Sequence, residues 1–273
     1  MKKNLFLFIA LTMLTTPMLF AQDSKFRLGF KTSPNVSWFN TDSPHLTTGD
    51  KSFRFGYGLN FDIFFSENYA IGTGFNVNKT GGTMSYFQSY IGTEPAPLPG
   101  GDPLTNMNQI GLLSRDISLQ YVQVPLTFKM KTPEIGYMTY WGQFGLGLNY
   151  NSKALSTDEI VFQLYQDKNT FDWEPSKRES QTFEKNDIKN DINLFGANLI
   201  FAAGIEYNLA GKTSILASVS YHNGFTDALK GEAVQMDNVT KGPSFNNDAT
   251  QTAKTFELSA RPNYIELNIG VLF

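Results

Sequence analysis

The chain has 273 residues, 41% hydrophobic and 17% charged, with a formal net charge of -3 and no cysteine. Zero cysteines exclude a disulfide scaffold, a thiolate metal site and a cysteine nucleophile. The mildly acidic balance gives no basis for nucleic-acid binding, and the length allows one large all-β domain or two ordinary ones.

The first element is a targeting segment. MKKNLFLFIALTMLTTPMLFAQ sets Lys2 and Lys3 before an apolar run from Leu5 to Phe20, closed by the small Ala21. That is the layout of a secretory signal peptide. The expected domains are a signal peptide over 1–21 and a single domain over 22–273. Loss of Lys2 and Lys3 takes the net charge from -3 to -5. No later stretch approaches 18 consecutive apolar residues, so no further helix is expected to span a membrane.

Period-2 alternation then recurs along the chain, the signature of strands with two unlike faces. The first strand places Phe26, Leu28, Phe30, Val36 and Trp38 on one face and Arg27, Gly29, Lys31, Ser33 and Asn35 on the other. The second is FRFGYGLNFDIFF, residues 53–65, with seven large apolar side chains at the odd positions and Arg54, Gly56, Gly58, Asn60 and Asp62 between them. Phe64 is the apolar exception, beside the turn at 66–68, where it is expected to close one end of the fold.

The third strand runs from Tyr69 to Asn78, with Gly72 and Gly74 on its small face. In the fourth, Ile117, Leu119 and Tyr121 alternate, and the apolar set then moves to Val122, Val124, Leu126, Phe128 and Met130. A bulge near Pro125 would account for the move. The fifth (138–150), sixth (195–207), seventh (213–222) and last (265–273) strands alternate cleanly. Short connections (66–68, 131–136, 208–212) alternate strictly with long ones (about 41–51, 81–116, 151–194 and 223–263), so the short ones share one end of the sheet.

Eight such strands imply an antiparallel up-and-down barrel, either soluble with an apolar interior or transmembrane with a polar one. Side-chain bulk decides between them. An eight-stranded barrel is just wide enough to be filled by side chains, and the Phe, Tyr, Leu and Ile of the apolar faces would overfill it. Glycine pairs mixed with Asn, Gln, Arg and Asp fit a narrow lumen. Thirteen residues at about 3.3 Å each, tilted by about 40°, cover roughly 33 Å, enough for an apolar band of about 25 Å. Trp38, Tyr69, Tyr140, Tyr150, Tyr207 and Tyr221 lie near strand ends, where aromatic girdles are expected. The implied class is all-β, an eight-stranded transmembrane β-barrel in the outer membrane of a Gram-negative cell, with long extracellular loops and outer-membrane lipids around it.

The chain ends in IELNIGVLF. This resembles the C-terminal strand of bacterial outer-membrane proteins, which implies recognition by the barrel-assembly machinery and marks Phe273 as an assembly signal. The whole mature chain resembles the PorT-like outer-membrane β-barrel proteins of the Bacteroidota. The residues that carry the likeness are KFRLGFKTSPNVSWF, YVQVPLTFKM, the GxG strands and the terminal Phe. The resemblance implies a role in envelope protein export of the type IX kind.

Signatures of chemistry are few. His45 and His222 are the two histidines, and no H-E-x-x-H, G-x-S-x-G or Walker A pattern occurs. The GxG pairs lack a third glycine and a following helix. No enzymatic activity, cofactor or metal is expected. His222, inward by parity with Ser218 and Ser220, is the candidate for a lipid-modifying enzyme.

The inward charges Arg27, Lys31, Arg54, Asp62, Glu206 and Glu266 are read as a lumen ion-pair network, with Asp62 near Lys31 and Arg27. Buried charges must be paired. A narrow pore for ions or small solutes is the competing reading. EPAPLPGGDP and the residues Leu104, Ile110, Leu112 and Leu113 mark the second long loop. The third carries Phe162, Tyr165, Phe171 and Trp173. These aromatics serve a protein partner, pack on the loop itself, or belong to a hairpin that extends the barrel wall.

Overall fold

The alternation becomes a closed wall. A computed structural model describes residues 26–43, 46–86, 89–90, 107–167, 172–235 and 255–273. The signal segment, His45 and the proline-rich stretch of the second long loop lie outside them. The strands are β1 (Phe26–Asn40), β2 (Leu46–Phe64), β3 (Tyr69–Tyr86), β4 (Ser89–Tyr90), β5 (Met107–Lys131), β6 (Met138–Asp167), β7 (Asp172–Asp187), β8 (Phe195–Ala210), β9 (Thr213–Gly224), β10 (Glu232–Gln235), β11 (Thr255–Glu257) and β12 (Arg261–Leu272). Among the described residues the helical structure is a 3-10 turn at Lys189–Asp191.

Eight strands close antiparallel in the order β1-β2-β3-β5-β6-β8-β9-β12, and β12 returns to β1. The closing seam pairs Gly29 with Leu272 and Asn40 with Arg261, and Phe273 N–H donates to Leu28 O at 2.7 Å. A closed wall leaves no edge to satisfy in lipid. The short turns join β2 to β3, β5 to β6 and β8 to β9 at one end. Gly136 (φ 68°) and Gly211 (φ 60°) occupy two of these turns in the left-handed conformation that a Cβ disfavours.

The outer face is apolar, with Phe30 56% exposed, Tyr57 59%, Leu126 60% and Leu148 61%. The inner face holds Ser33, Asn35, Asn76, Gln123 and Asn268, all buried. The glycine pairs are places of close approach. A Cβ at Gly58 would sit 2.1 Å from Asn76 Oδ1, and one at Gly147 would sit 2.1 Å from Asn198 Oδ1.

Two expectations about β5 are corrected. Its parity never changes: Ile117, Leu119 and Tyr121 face inward with Gln123, while Val122, Val124, Leu126, Phe128 and Met130 face lipid. The apolar set changes face because the strand leaves the membrane, and its inner side then packs into an apolar cluster above the lumen. There is also no bulge at Pro125. Pairing with β3 lapses across Val124 and Pro125, where the proline has no N–H to give, and resumes in the same register. The extra residue lies in β6, where the ladder passes from Tyr121↔Asn151 to Gln120↔Lys153 and leaves Ser152 unpaired.

Two long connections are largely strand. Residues 46–51 belong to β2. Residues 151–167 form the upper half of β6 and residues 172–187 its antiparallel partner β7, paired from Leu155↔Asp187 to Asp167↔Asp172. The backbone therefore realises the wall-extending hairpin. Phe171 lies outside the described residues, as do the side chains of Phe162, Tyr165 and Trp173.

Candidate functional site

The lumen is stacked in layers, each set by which strands bring inward side chains to one height. At the periplasmic end Lys129 of β5 is the centre. Its Nζ donates to Asp62 Oδ2 at 2.5 Å and to Glu206 Oε1 at 2.8 Å, and lies 4.6 Å from the Trp141 ring centroid. The other Glu206 oxygen takes Arg27 at 2.5 Å, and Arg27 also donates to Ser214 Oγ at 3.0 Å. Gly72 opposes both Asp62 and Thr127 in the ladders, and its missing side chain leaves room for this reach across β3.

The middle layer joins β1, β9 and β12. Lys31 donates to Glu266 Oε1 at 3.2 Å and Asn268 Oδ1 at 2.9 Å. Asn268 receives Ser33 Oγ at 2.6 Å and donates to Ser220 Oγ at 2.7 Å. His222 is 2% exposed, with Nε2 3.2 Å from Glu266 Oε1 and Nδ1 3.1 Å from Asn198 Nδ2. Its ring stacks on Tyr264 at 4.1 Å and 12°.

Above it Gln123 Nε2, with two protons to give, lies within hydrogen-bond reach of Asn149 Oδ1 at 2.9 Å and of Asn198 Oδ1 and Tyr264 Oη at 3.2 Å each. The top is closed by an apolar cluster that includes Phe39, Met84, Tyr86, Ile117, Leu119 and Ile188. Within that cap Arg115 makes a bidentate pair with Asp158 at 2.7 and 2.8 Å. Burial pushes the Tyr86 hydroxyl up to about 12, and the Asp158 carboxylate holds Arg115 above its usual range against the opposing effect of burial.

Five of the six sequence candidates, Arg27, Lys31, Asp62, Glu206 and Glu266, meet in this lumen. Arg54 does not join them; it lies higher, 3.7 Å from Asp116. Arg27 does oppose Asp62 in the ladder, but Asp62 is claimed by Lys129. Lys31 turns instead to Glu266. Sequence reading omits Lys129, although its place between Phe128 and Met130 puts it inward. With Lys129 included, three cations are paired with three carboxylates.

The internal void between the lower two layers is about 40 Å³, space for a few waters at most. A larger recess of about 720 Å³ opens at the periplasmic end, beside Arg27, Phe64, Lys131 and Lys212. Phe64 is 8% exposed there, with Lys131 Nζ 4.3 Å over its ring. His222 has no hydrogen bond to Ser218 or Ser220, so the geometry of a serine nucleophile and its base is not assembled. Among the described residues no group of three or more His, Asp or Glu side chains is placed to hold a metal ion. Phe273 is 52% exposed, its ring edge-on to Phe30 at 6.5 Å.

An apolar outer wall, a filled polar lumen and a closed ring of eight strands define an integral outer-membrane β-barrel. The chain belongs to the family described as outer membrane protein beta-barrel domain, which matches residues 20–230. The protein is thus located in the outer membrane.

Among solved structures it is similar to the attachment invasion locus protein Ail of Yersinia pestis, at 13% identity over 91% of this chain and 99% of that one, TM-score 0.36. It is also similar to Neisserial surface protein A, at 8% over 91% and 96%, TM-score 0.41, and to OprG of Pseudomonas aeruginosa, at 10% over 90% and 95%, TM-score 0.38. None of these likenesses bears on what the chain does. No curated protein matches the sequence.

Proposed function

We propose that the protein is a sealed structural and interaction scaffold of the outer membrane, a PorT-like accessory of envelope protein export, without enzymatic activity of its own. The observation that carries this reading is the filled lumen. Every layer from Arg27 to Gln123 is occupied by side chains bonded to one another, and an apolar cluster lies over the top. A conducting path needs a continuous hydrated bore, and a void of about 40 Å³ does not supply one.

With the lumen filled, the surface offered to the outside is the wall that β5, β6 and β7 raise above the membrane. The export role rests on KFRLGFKTSPNVSWF, YVQVPLTFKM and the terminal Phe. Mature residues from Gln22 onward, after removal of the signal segment, would supply this barrel.

Co-purification in mild detergent tests the reading, using the full chain and a variant lacking residues 160–181. In the variant an Asn-Gly linker joins Glu159 to Thr182, a two-residue turn that lets this cross-strand pair close a shorter hairpin. A protein that elutes with the full chain and is lost with the variant is the expected result. Recovery of the barrel alone from both preparations sinks it.

A further inference from the structure

We propose that Lys79, Gln120 and Lys153 form a binding site for the phosphate groups of outer-leaflet lipid. The ladders set Lys79 opposite Gln120 and Gln120 opposite Lys153, on three adjacent strands of the wall. The two lysines stand two strand spacings apart, about 10 Å. Each of the three residues caps the apolar belt of its own strand. Directly below them the outward row is Val77, Val122 and Tyr150, again paired in register.

Lys153 faces outward because of the bulge. Asn151 points into the lumen, so an unbroken strand would send residue 153 inward as well. The extra residue Ser152 reverses the parity, Lys153 comes out exposed, and Ser152 Oγ locks the kink by donating to Gln120 O at 3.0 Å. Bulges re-aim side chains in this way.

Both lysines are exposed, and among the described residues neither ammonium has a hydrogen-bond or ion-pair partner. The row above, Gly81, Ser118 and Leu155, carries no charge of its own, and the Arg54 side chain reaches within 3.4 Å of the place a Cβ on Gly81 would take. The acids of these strands stand higher and are engaged: Asp116 with Arg54, and Glu159 with Ser114 at 3.1 Å. Lys51, the corresponding cap on β2, is held over the Trp38 ring at 5.0 Å. A lipid whose acyl chains lie on Val77, Val122 and Tyr150 would bring its phosphates to two free ammonium groups.

The test is binding of purified, detergent-solubilised protein to lipid A bearing its phosphates and to dephosphorylated lipid A, with inorganic phosphate as a third arm. Phosphorylated lipid A should bind more tightly, and K79Q/K153Q should weaken it by about 25-fold, roughly fivefold per lysine. The dephosphorylated form should be unaffected, and K79R/K153R should retain the preference. Raising salt should weaken wild-type binding of the phosphorylated form alone, a reading that requires no variant. Equal binding of the two lipid forms by the wild type overturns the proposal, as does an unchanged affinity in a folded K79Q/K153Q. Full competition by millimolar inorganic phosphate would assign a free-anion site and also overturn it.

Discussion

Lys129 and Asp62 meet at 2.5 Å across β3, two strands apart, although Arg27 lies directly opposite Asp62 in the β1–β2 ladder. The small inner face at Gly72 permits the longer reach. Glu206 then bridges Lys129 to Arg27. The lower lumen is therefore one four-residue ion chain rather than separate cross-strand pairs.

That chain predicts a strong dependence on its centre. Lys129→Met leaves Asp62 and Glu206 buried beside a single cation, and should cost about 3–5 kcal/mol of barrel stability. Adding Asp62→Asn should recover part of the loss, since it removes a stranded charge. Reversible urea unfolding in lipid vesicles reports both. A loss below about 1 kcal/mol for Lys129→Met would contradict the assignment.

Glycine substitutions should divide by face. Gly147→Ala drives a methyl to 2.1 Å from Asn198 Oδ1 and should destabilise by about 1–3 kcal/mol. Gly142→Ala meets nothing closer than Ala202 O at 3.9 Å and should stay within about 0.5 kcal/mol of wild type. Equal effects at the two sites would mean that the inner face is not packed as described.

Much of this was legible in the amino-acid order, because lipid and lumen make opposite demands on neighbouring residues. FRFGYGLNFDIFF shows both demands in thirteen residues. The legibility ends where the membrane does. Ile117, Leu119 and Tyr121 are apolar yet inward, since β5 there encloses the cap and its other face meets water. The upper half of β6, STDEIVFQLY, has no lipid on either face and loses clean alternation, so a strand reads as a loop. Lys129 follows from parity alone. Its partners do not, because they depend on the shear of the closed wall and on the space at Gly72.

The cap carries its own pH signature. Unfolded tyrosine ionises near 10, and burial holds Tyr86 up to about 12. Between those values the unfolded chain has released a proton that the folded chain retains, so stability falls as pH rises through that window, by roughly 3 kcal/mol in all. Below pH 10 the contribution is constant. Tyr86→Phe should flatten the alkaline limb of a stability profile taken from pH 9 to 12. An unchanged slope would contradict burial of this hydroxyl.

The hairpin above the membrane predicts a protease pattern. Its edge strand β7 is rich in charge and contains Pro175, features that block strand addition by other chains. Limited proteolysis of the reconstituted protein should leave the β8–β9 pair, residues 195–224, uncut within a membrane-embedded fragment. Cleavage within β8 or β9 before the hairpin is cut would contradict the placement of the wall.

Planar-bilayer recording of the purified full-length protein tests the sealed lumen most directly. The neutral ion chain, the layer centred on Gln123 and the apolar cap predict a baseline without steady conductance steps at either polarity. A stable open conductance, shifted in ion selectivity by Lys129→Met, would contradict it.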